Sequence, residues 1–256
     1  MTLKTWKSRT LAAGGNAKTV KGDDVYQTAI MYLAPYLSSG VGNLCATADI
    51  AKCHEGCLFK AGRADIFESV NTARIAKTKR YFANRAAFIT ELVRGLESFT
   101  RHCRKIGVLP AVRLNGTSDI QWEVAHPCTR KGTAYASLFA AFPEIVFYDY
   151  TKIVKRAYRA LPSNYSLTLS YSGANMAYAE SVLKAAHETG ANIAVVYRSK
   201  DRRNAAMADR TVAFLGREVI NGDETDMRFL DPKNRIVGLY AKGRRAKKDQ
   251  SGFIID

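Results

Sequence analysis

The sequence predicts an α/β fold in which parallel strands alternate with helices, and three observations carry that reading. Beyond residue 108, short runs rich in Val, Ile, Leu, Tyr and Phe recur: "LPAVRLNG", "EIVFYDY", "NYSLTLSYS", "ANIAVVYR" and "RIVGLYAKG". Between them lie "TAYASLFAAF", "TKIVKRAYRAL", "ANMAYAESVLKAAHETG" and "RRNAAMADRTVAFLG", each long enough for a crossover helix. Alternation of this kind implies parallel pairing. Polar residues, finally, gather where the apolar runs end, which is where parallel sheets keep their functional groups. A closed or partial barrel and an open doubly wound sheet both suit the pattern.

With 256 residues, 47% of them hydrophobic and 24% charged, the protein has the composition of a globular domain with a real core. No run of eighteen apolar residues occurs, so no membrane span is expected. The opening "MTLKTWKSRTLAAGG" lacks the apolar stretch of a secretory signal, and the expected location is the cytoplasm. Residues 1–64 form an N-terminal segment holding a cysteine cluster, and residues 65–256 the α/β part, the two reading as one integrated domain. The first forty residues look irregular, broken by Gly14, Gly15 and Gly22, with an apolar stretch "YQTAIMYLAPYL". Phe82, Ala86, Ile89, Val93 and Leu96 recur at spacings of three and four, which predicts a helix over about 66–105.

Four strand ends supply the candidate chemistry. The first gives Asn115, Thr117, Ser118, Asp119, Trp122 and Glu123; the second Asp149, Tyr150, Thr151 and Lys152. The third gives Ser170, Ser172 and Asn175, and the fourth Arg198, Ser199 and Lys200. Asp119 and Asp149 are candidate catalytic carboxylates, for proton transfer or nucleophilic attack. Lys152 joins them as a partner for phosphate or carboxylate. Asn115, Ser118, Trp122, Ser170 and Arg198 are candidate substrate contacts. The same residue types also cap helices and build turns.

Charge points to the partner. Thirty-nine Lys and Arg against twenty-three Asp and Glu leave a net +16, a field that favours polyanions and above all nucleic acid; charge does not separate DNA from RNA, and DNA is the expected partner. Arg74 and Lys77, on one face of the long helix with Tyr81 and Arg85, are candidate phosphate contacts. So are Lys242, Arg244 and Arg245 in "AKGRRAKK", together with Lys247 and Lys248.

Three of the five cysteines, Cys45, Cys53 and Cys57, fall within thirteen positions. An odd total in a reducing compartment argues against disulfides and for a metal, redox chemistry or burial. Cys53 and Cys57 are four apart and would share a helical face. Three thiolates are one short of a closed zinc site, with His54, His102, Cys103, His126 and Cys128 as possible fourth ligands. On a four-iron cluster they would leave one iron open.

The order of "GGNAKTVKG", C-x7-C-x3-C with "LFKAGR", "ARIAKTKRYF", "VRLNGTSDIQWE", "FYDYTK", "NYSLTLS", "GDETDMRFLDP" and "GLYAKGRRAKKDQSGF" resembles the phage gene product 88 family over nearly the whole chain. That resemblance implies a phage protein working in the host cell. A more distant likeness joins the three cysteines, Ser118-Asp119 and Thr151-Lys152 to radical-SAM-type three-cysteine phage proteins. It implies a complete or partial TIM-like barrel and an iron–sulfur cluster on Cys45, Cys53 and Cys57, with S-adenosylmethionine on the open iron. Asp119, Asp149 and Lys152 would then line the substrate end, and nucleic acid would be modified. The spacing departs from the usual C-x3-C-x2-C, and no glycine-rich stretch follows the cysteines. An alternative likeness is to phage DNA transglycosylases, which use a zinc site and an aspartate nucleophile to insert a 7-deazaguanine. Asp119 and Asp149 would serve there, with Asp231 in reserve, although the usual late zinc motif is absent. A third reading is a DNA-binding or host-inhibitory protein with no catalysis.

Overall fold

The computed structural model describes residues 5–15, 24–54, 56, 57, 59, 67–209 and 216–256. Parts of the segments "GGNAKTVKG", "LFKAGR" and "RRNAAMADRTVAFLG" lie outside the described residues.

The irregular N-terminal stretch builds three strands, β1 (Trp6–Lys7), β2 (Ala12–Ala13) and β3 (Tyr26–Ile30). Then follow β4 (Leu109–Arg113), β5 (Cys128–Arg130), β6 (Thr133–Tyr135), β7 (Val146–Thr151) and β8 (Tyr165–Ser170). The last are β9 (Ile193–Tyr197), β10 (Val219–Asn221) and β11 (Ile236–Tyr240). Nine strands form one sheet in the order β1-β2-β3-β4-β7-β8-β9-β11-β10, while β5 and β6 make a separate hairpin. From β3 to β10 every pairing is parallel; only β1-β2 and β2-β3 are antiparallel. The sheet is mixed, largely parallel and open. A closed barrel is not what this chain builds: β1 ends one edge and β10 the other.

Among the described residues seven α-helices accompany the strands: α1 (Ala48–Ala51), α2 (Glu68–Ala83), α3 (Arg85–Ile106), α4 (Leu138–Ala141), α5 (Met176–Thr189), α6 (Lys200–Ala208) and α7 (Gly243–Lys247). The single helix expected over 66–105 is two. Asn84 adopts extended backbone between them, and its side chain accepts a hydrogen bond from Ala87 N at 2.9 Å, capping α3. The expected stripe is half right: Ile89, Val93 and Leu96 are buried, whereas Phe82 and Ala86 are exposed. "TKIVKRAYRAL" forms only a 3₁₀ turn over Val154–Tyr158, and "TAYASLFAAF" is shared by β6 and the four-residue α4.

Register shows which face the helices cover. Tyr165 packs in one cluster with α3, and Leu169 in another with α5. Both point the same way along β8, because side chains alternate with period two. α3 and α5 therefore share a face, as expected when successive parallel strands are neighbours and their crossovers keep one hand. The opposite face is polar: β7 Tyr148 and Tyr150 stand opposite β8 Ser166 and Thr168. A 3₁₀ turn at Arg228–Leu230 covers it. There Arg113 pairs with Asp226 at 3.1 Å, and Phe229 lies 5.5 Å from Tyr148. Among the described residues no helix is long and apolar enough to cross a membrane.

Candidate functional site

The three cysteines meet at the carboxyl edge of the sheet, in the connection after β3, the first parallel strand. Cys45 N donates to Asn43 Oδ1 at 2.7 Å, and the Cys45 carbonyl accepts from Ala48 N, which starts α1. Lys52 ends that helix in left-handed backbone, φ +50. Cys53 is thus swung out of the helix, and Cys53 and Cys57 do not share a helical turn. The last turn of a helix leaves carbonyls without partners; here Ser172 Oγ, from beyond β8, donates to Ala51 O at 2.7 Å. Asp119 N likewise donates to Leu44 O at 2.8 Å. Behind that contact the β4 end runs hard against β3, since a Cβ on Gly116 would fall 2.7 Å from Met31 O.

From the other side, residues 251–255 strap the cysteine segment down. Ser251 Oγ donates to Lys52 O at 3.3 Å, and Phe253 and Ile254 pack where a Cβ of Gly56 would point. Ile255 bridges to Tyr197 alongside β9. Ser172→Ala, which leaves the Ala51 carbonyl unpaired, is expected to cost about 1–2 kcal/mol locally. Alkylation of Cys53, followed by peptide mass spectrometry, should then run several-fold faster. An unchanged rate would show that the serine does not hold the segment.

Cys45, Cys53 and Cys57 open on a pocket of about 250 Å³ whose walls include Tyr36, His54 and Phe59. The thiols are close enough to perturb one another: burial first, then Cys57, Asp119 and Cys53, pushes Cys45 up to about 12. Burial raises Cys53 as well. Two cations look on. The Lys152 ammonium donates to Ser170 Oγ at 2.7 Å, lies 4.6 Å from the Phe253 ring centroid, and feels all three thiols. The Arg74 guanidinium sits over the Tyr32 ring at 4.8 Å and within electrostatic reach of Cys57. Ionising these buried thiols calls for nearby positive charge, which Lys152 and Arg74 supply in part. Among the described residues no three His, Cys, Asp or Glu side chains are arranged to hold one metal ion. A zinc ion needs its sulfurs at about 2.3 Å from one point, whereas the thiolates of a cluster bind separate irons. Of the five fourth-ligand candidates only His54 lines the pocket. Cys103 and Cys128 are core residues, His102 lies against Phe99, and His126 bonds the Tyr81 hydroxyl at 3.0 Å.

The aspartates lie close by, behind the rim. Asp119 Oδ1 accepts from Thr151 Oγ1 (2.8 Å) and Arg156 Nη1 (2.9 Å), and Oδ2 accepts from Lys152 N (2.7 Å). Asp149 is wholly buried. Its Oδ1 accepts from Asn115 N at 2.6 Å, and Oδ2 from Asn115 Nδ2 at 3.1 Å and Tyr165 OH at 3.0 Å. Neither carboxylate stands free as a nucleophile. Asn115 is the hub of the 115–122 loop: its Oδ1 accepts from Ser118 Oγ, Ile120 N and Trp122 Nε1. Trp122 is fully buried against His126 and Tyr81, with no face open to a base.

Other residues named from sequence lie apart from the thiols or are engaged otherwise. Arg198 donates to Lys247 O, Asp249 O and the Asp256 carboxylate, and so anchors the strap. Lys77 donates to Thr10 O at 3.1 Å, and burial with neighbouring Arg80, Arg74 and Lys7 pulls it down to about 8. Lys242 pairs with Asp223 at 3.0 Å, whereas Arg244 and Arg245 are exposed on α7. Asp231 pairs with Arg228 at 3.2 Å on the polar face of the sheet. Arg156 was not singled out by sequence, although it organises this rim. It is fully buried and donates to Asp119, Glu123 and Tyr165. Nothing in "KIVKRAY", where Lys152 and Lys155 flank it, sets this arginine apart.

An open, largely parallel α/β sheet with a three-thiol pocket at its carboxyl edge defines the class of protein. The gene product 88 family matches residues 3–256, so this chain belongs to that family of phage proteins. No curated protein and no solved structure matches it.

Proposed function

We propose that this phage protein is a radical-SAM-like metalloenzyme whose Cys45, Cys53 and Cys57 hold an iron–sulfur cluster, and that it modifies nucleic acid. The observation that carries the reading is the convergence of three thiols, from the connection after the first parallel strand, on a pocket flanked by Lys152 and Arg74. From β3 to β9 the parallel strands are neighbours in sequence order, the connectivity a partial barrel would share, although the sheet is open and β11 precedes β10 at its edge. A cluster with one iron free of protein ligands would supply one-electron chemistry to a bound cofactor such as S-adenosylmethionine.

The chain's own residues have distinct tasks. Lys152 offsets the negative charge of thiolates and orients an anionic group beside them, steadied by Ser170. Asp119 and Asp149 are positioning residues: one ties the β7 end to Arg156, the other fixes the Asn115 loop. The strap of residues 251–255 keeps water from the Cys53 side. Exposed Arg244 and Arg245 sit just before that strap, where a polynucleotide would be held next to the centre. The base-exchange reading asks for a free carboxylate, which neither aspartate offers.

Purification without oxygen, with iron, sulfide and zinc analysis and a visible spectrum, tests this. About four irons and matching sulfide per chain are expected, lost on changing any of the three cysteines to Ala. A colourless protein carrying one zinc, or no metal, would overturn the cluster.

A further inference from the structure

A second basic surface lies on α3, and nothing above makes use of it. α3 buries Phe88, Leu92, Leu96, Phe99 and Cys103 against the sheet. At 3.6 residues per turn, the ridge diametrically opposite carries Ala87, Thr90, Arg94, Ser98, Arg101 and Lys105. Arg94, Arg101 and Lys105 are exposed, and the residues between them are small. The nearby carboxylates are already taken. Glu91 pairs with Arg9 at 2.9 Å and Arg80 at 3.1 Å, and Glu97 lies 3.9 Å from Arg130. Among the described residues no carboxylate pairs with the three ridge cations.

Helix-end electrostatics accounts for part of this pattern, since Arg101 and Lys105 lie near the α3 C-terminus, where cations are favoured. Arg94 sits mid-helix, where that effect has faded. The ridge runs about 16 Å at 1.5 Å per residue. A duplex presents one charge per about 1.7 Å of its axis, so a ridge of that length passes about ten phosphates over the two strands. Membrane binding would need apolar side chains beside the cations, and the ridge has none larger than Ala87.

We propose that the Arg94–Arg101–Lys105 ridge is a docking surface for the phosphate backbone of duplex DNA, read without regard to sequence. This rests on the nucleic-acid half of the reading above and not on the centre held by the thiols. It replaces Arg74 and Lys77 as the helical contact, because both of those are drawn into the protein.

The test is fluorescence anisotropy of a labelled random-sequence duplex, titrated at several salt concentrations. The variants are Arg94→Gln/Arg101→Gln/Lys105→Gln and, separately, Arg244→Gln/Arg245→Gln/Lys248→Gln. All six side chains are exposed, so both variants are expected to stay folded, with urea midpoints lowered only slightly by the loss of helix-end cations. Loss of three phosphate contacts should lower the slope of log K against log salt by about 2.7 and weaken low-salt binding at least about tenfold. If the α3 variant keeps wild-type affinity and slope while the α7 variant loses both, this inference falls and the nucleic-acid reading stands. Wild-type protein that ignores the duplex, or binds anionic vesicles instead, removes both.

Discussion

Arg156→Ala is expected to destabilise the protein by about 3–5 kcal/mol, the cost of stranding buried carboxylates without their cation. Arg156 has no exposed side-chain surface, and its ion pairs reach Asp119 at 2.9 Å and Glu123 at 2.8 Å, themselves 10% and 6% exposed. A half-exposed second arginine, Arg159, also reaches Glu123 at 2.9 Å, so the carboxylate most orphaned is Asp119. Urea unfolding measures the loss, and the companion Arg156→Met/Asp119→Asn/Glu123→Gln separates pair from packing. Removing all the charges together should recover much of the deficit, since apolar or neutral replacements of a whole buried cluster are far better tolerated than half of one. Equal losses in the single and triple variants would mean that volume, not charge, is what Arg156 supplies.

Asp149 governs the second large effect, on pH dependence. Burial lifts its carboxyl to about 7, against the pull of Asn115 N, Arg113, Arg156 and Tyr165. An unfolded aspartate titrates near 3.9. Between about pH 4 and 7 the folded state keeps a proton that the unfolded state has released, so stability falls as pH rises through that window and levels off above it. At about 1.4 kcal/mol per unit the whole contribution approaches about 4 kcal/mol. Asp149→Asn should remove it, flattening the profile of urea stability between pH 4.5 and 7.5 by that order. Burial also raises Asp119 and Asp231, so some slope of the same sign persists in the variant. A profile identical to wild type would show that Asp149 is ionised throughout, held by its three donors.

Much of the α/β part was legible because its strands are buried runs with strong local signals. "EIVFYDY" and "ANIAVVYR" became β7 and β9, and "ANMAYAESVLKAAHETG" became α5 with Asn175 capping Tyr178 N. What failed to register is short or depends on partners distant in sequence. β3 reads as a nondescript apolar stretch until β4 pairs with it in parallel. The β5–β6 hairpin hangs on two residues, Lys131 and Gly132, both in left-handed backbone. Asn84 divides the long helix although the hydrophobic period runs through it. In the site, proximity in sequence found the three thiols, and their meeting with Lys152 followed from the strand-end rule. Composition gave no hint that Asp119, Asp149 and Trp122 turn inward, since the same letters would serve a solvent-facing loop. Arg156 and Tyr165, which donate to Asp119 and Asp149, come one crossover later in the chain, and Trp122 is held by Asn115.

The strap over the cysteines has a consequence for how the protein is made. Cys45, Cys53 and Cys57 leave the ribosome early, but Phe253 and Ile254, which cover them, and Lys152, which faces them, come later. At 5–20 residues per second, the interval from Cys57 to Phe253 lasts roughly 10–40 s. Throughout that time the three thiols are uncovered on a nascent chain whose sheet still lacks its last strands. On the proposed cluster reading, a metal would have open access to the thiols then and a narrower one afterwards, so synthesis itself would set a window for its delivery. That reading expects infected cells starved of iron during a pulse of expression, then resupplied, to fill the protein less completely than cells never starved.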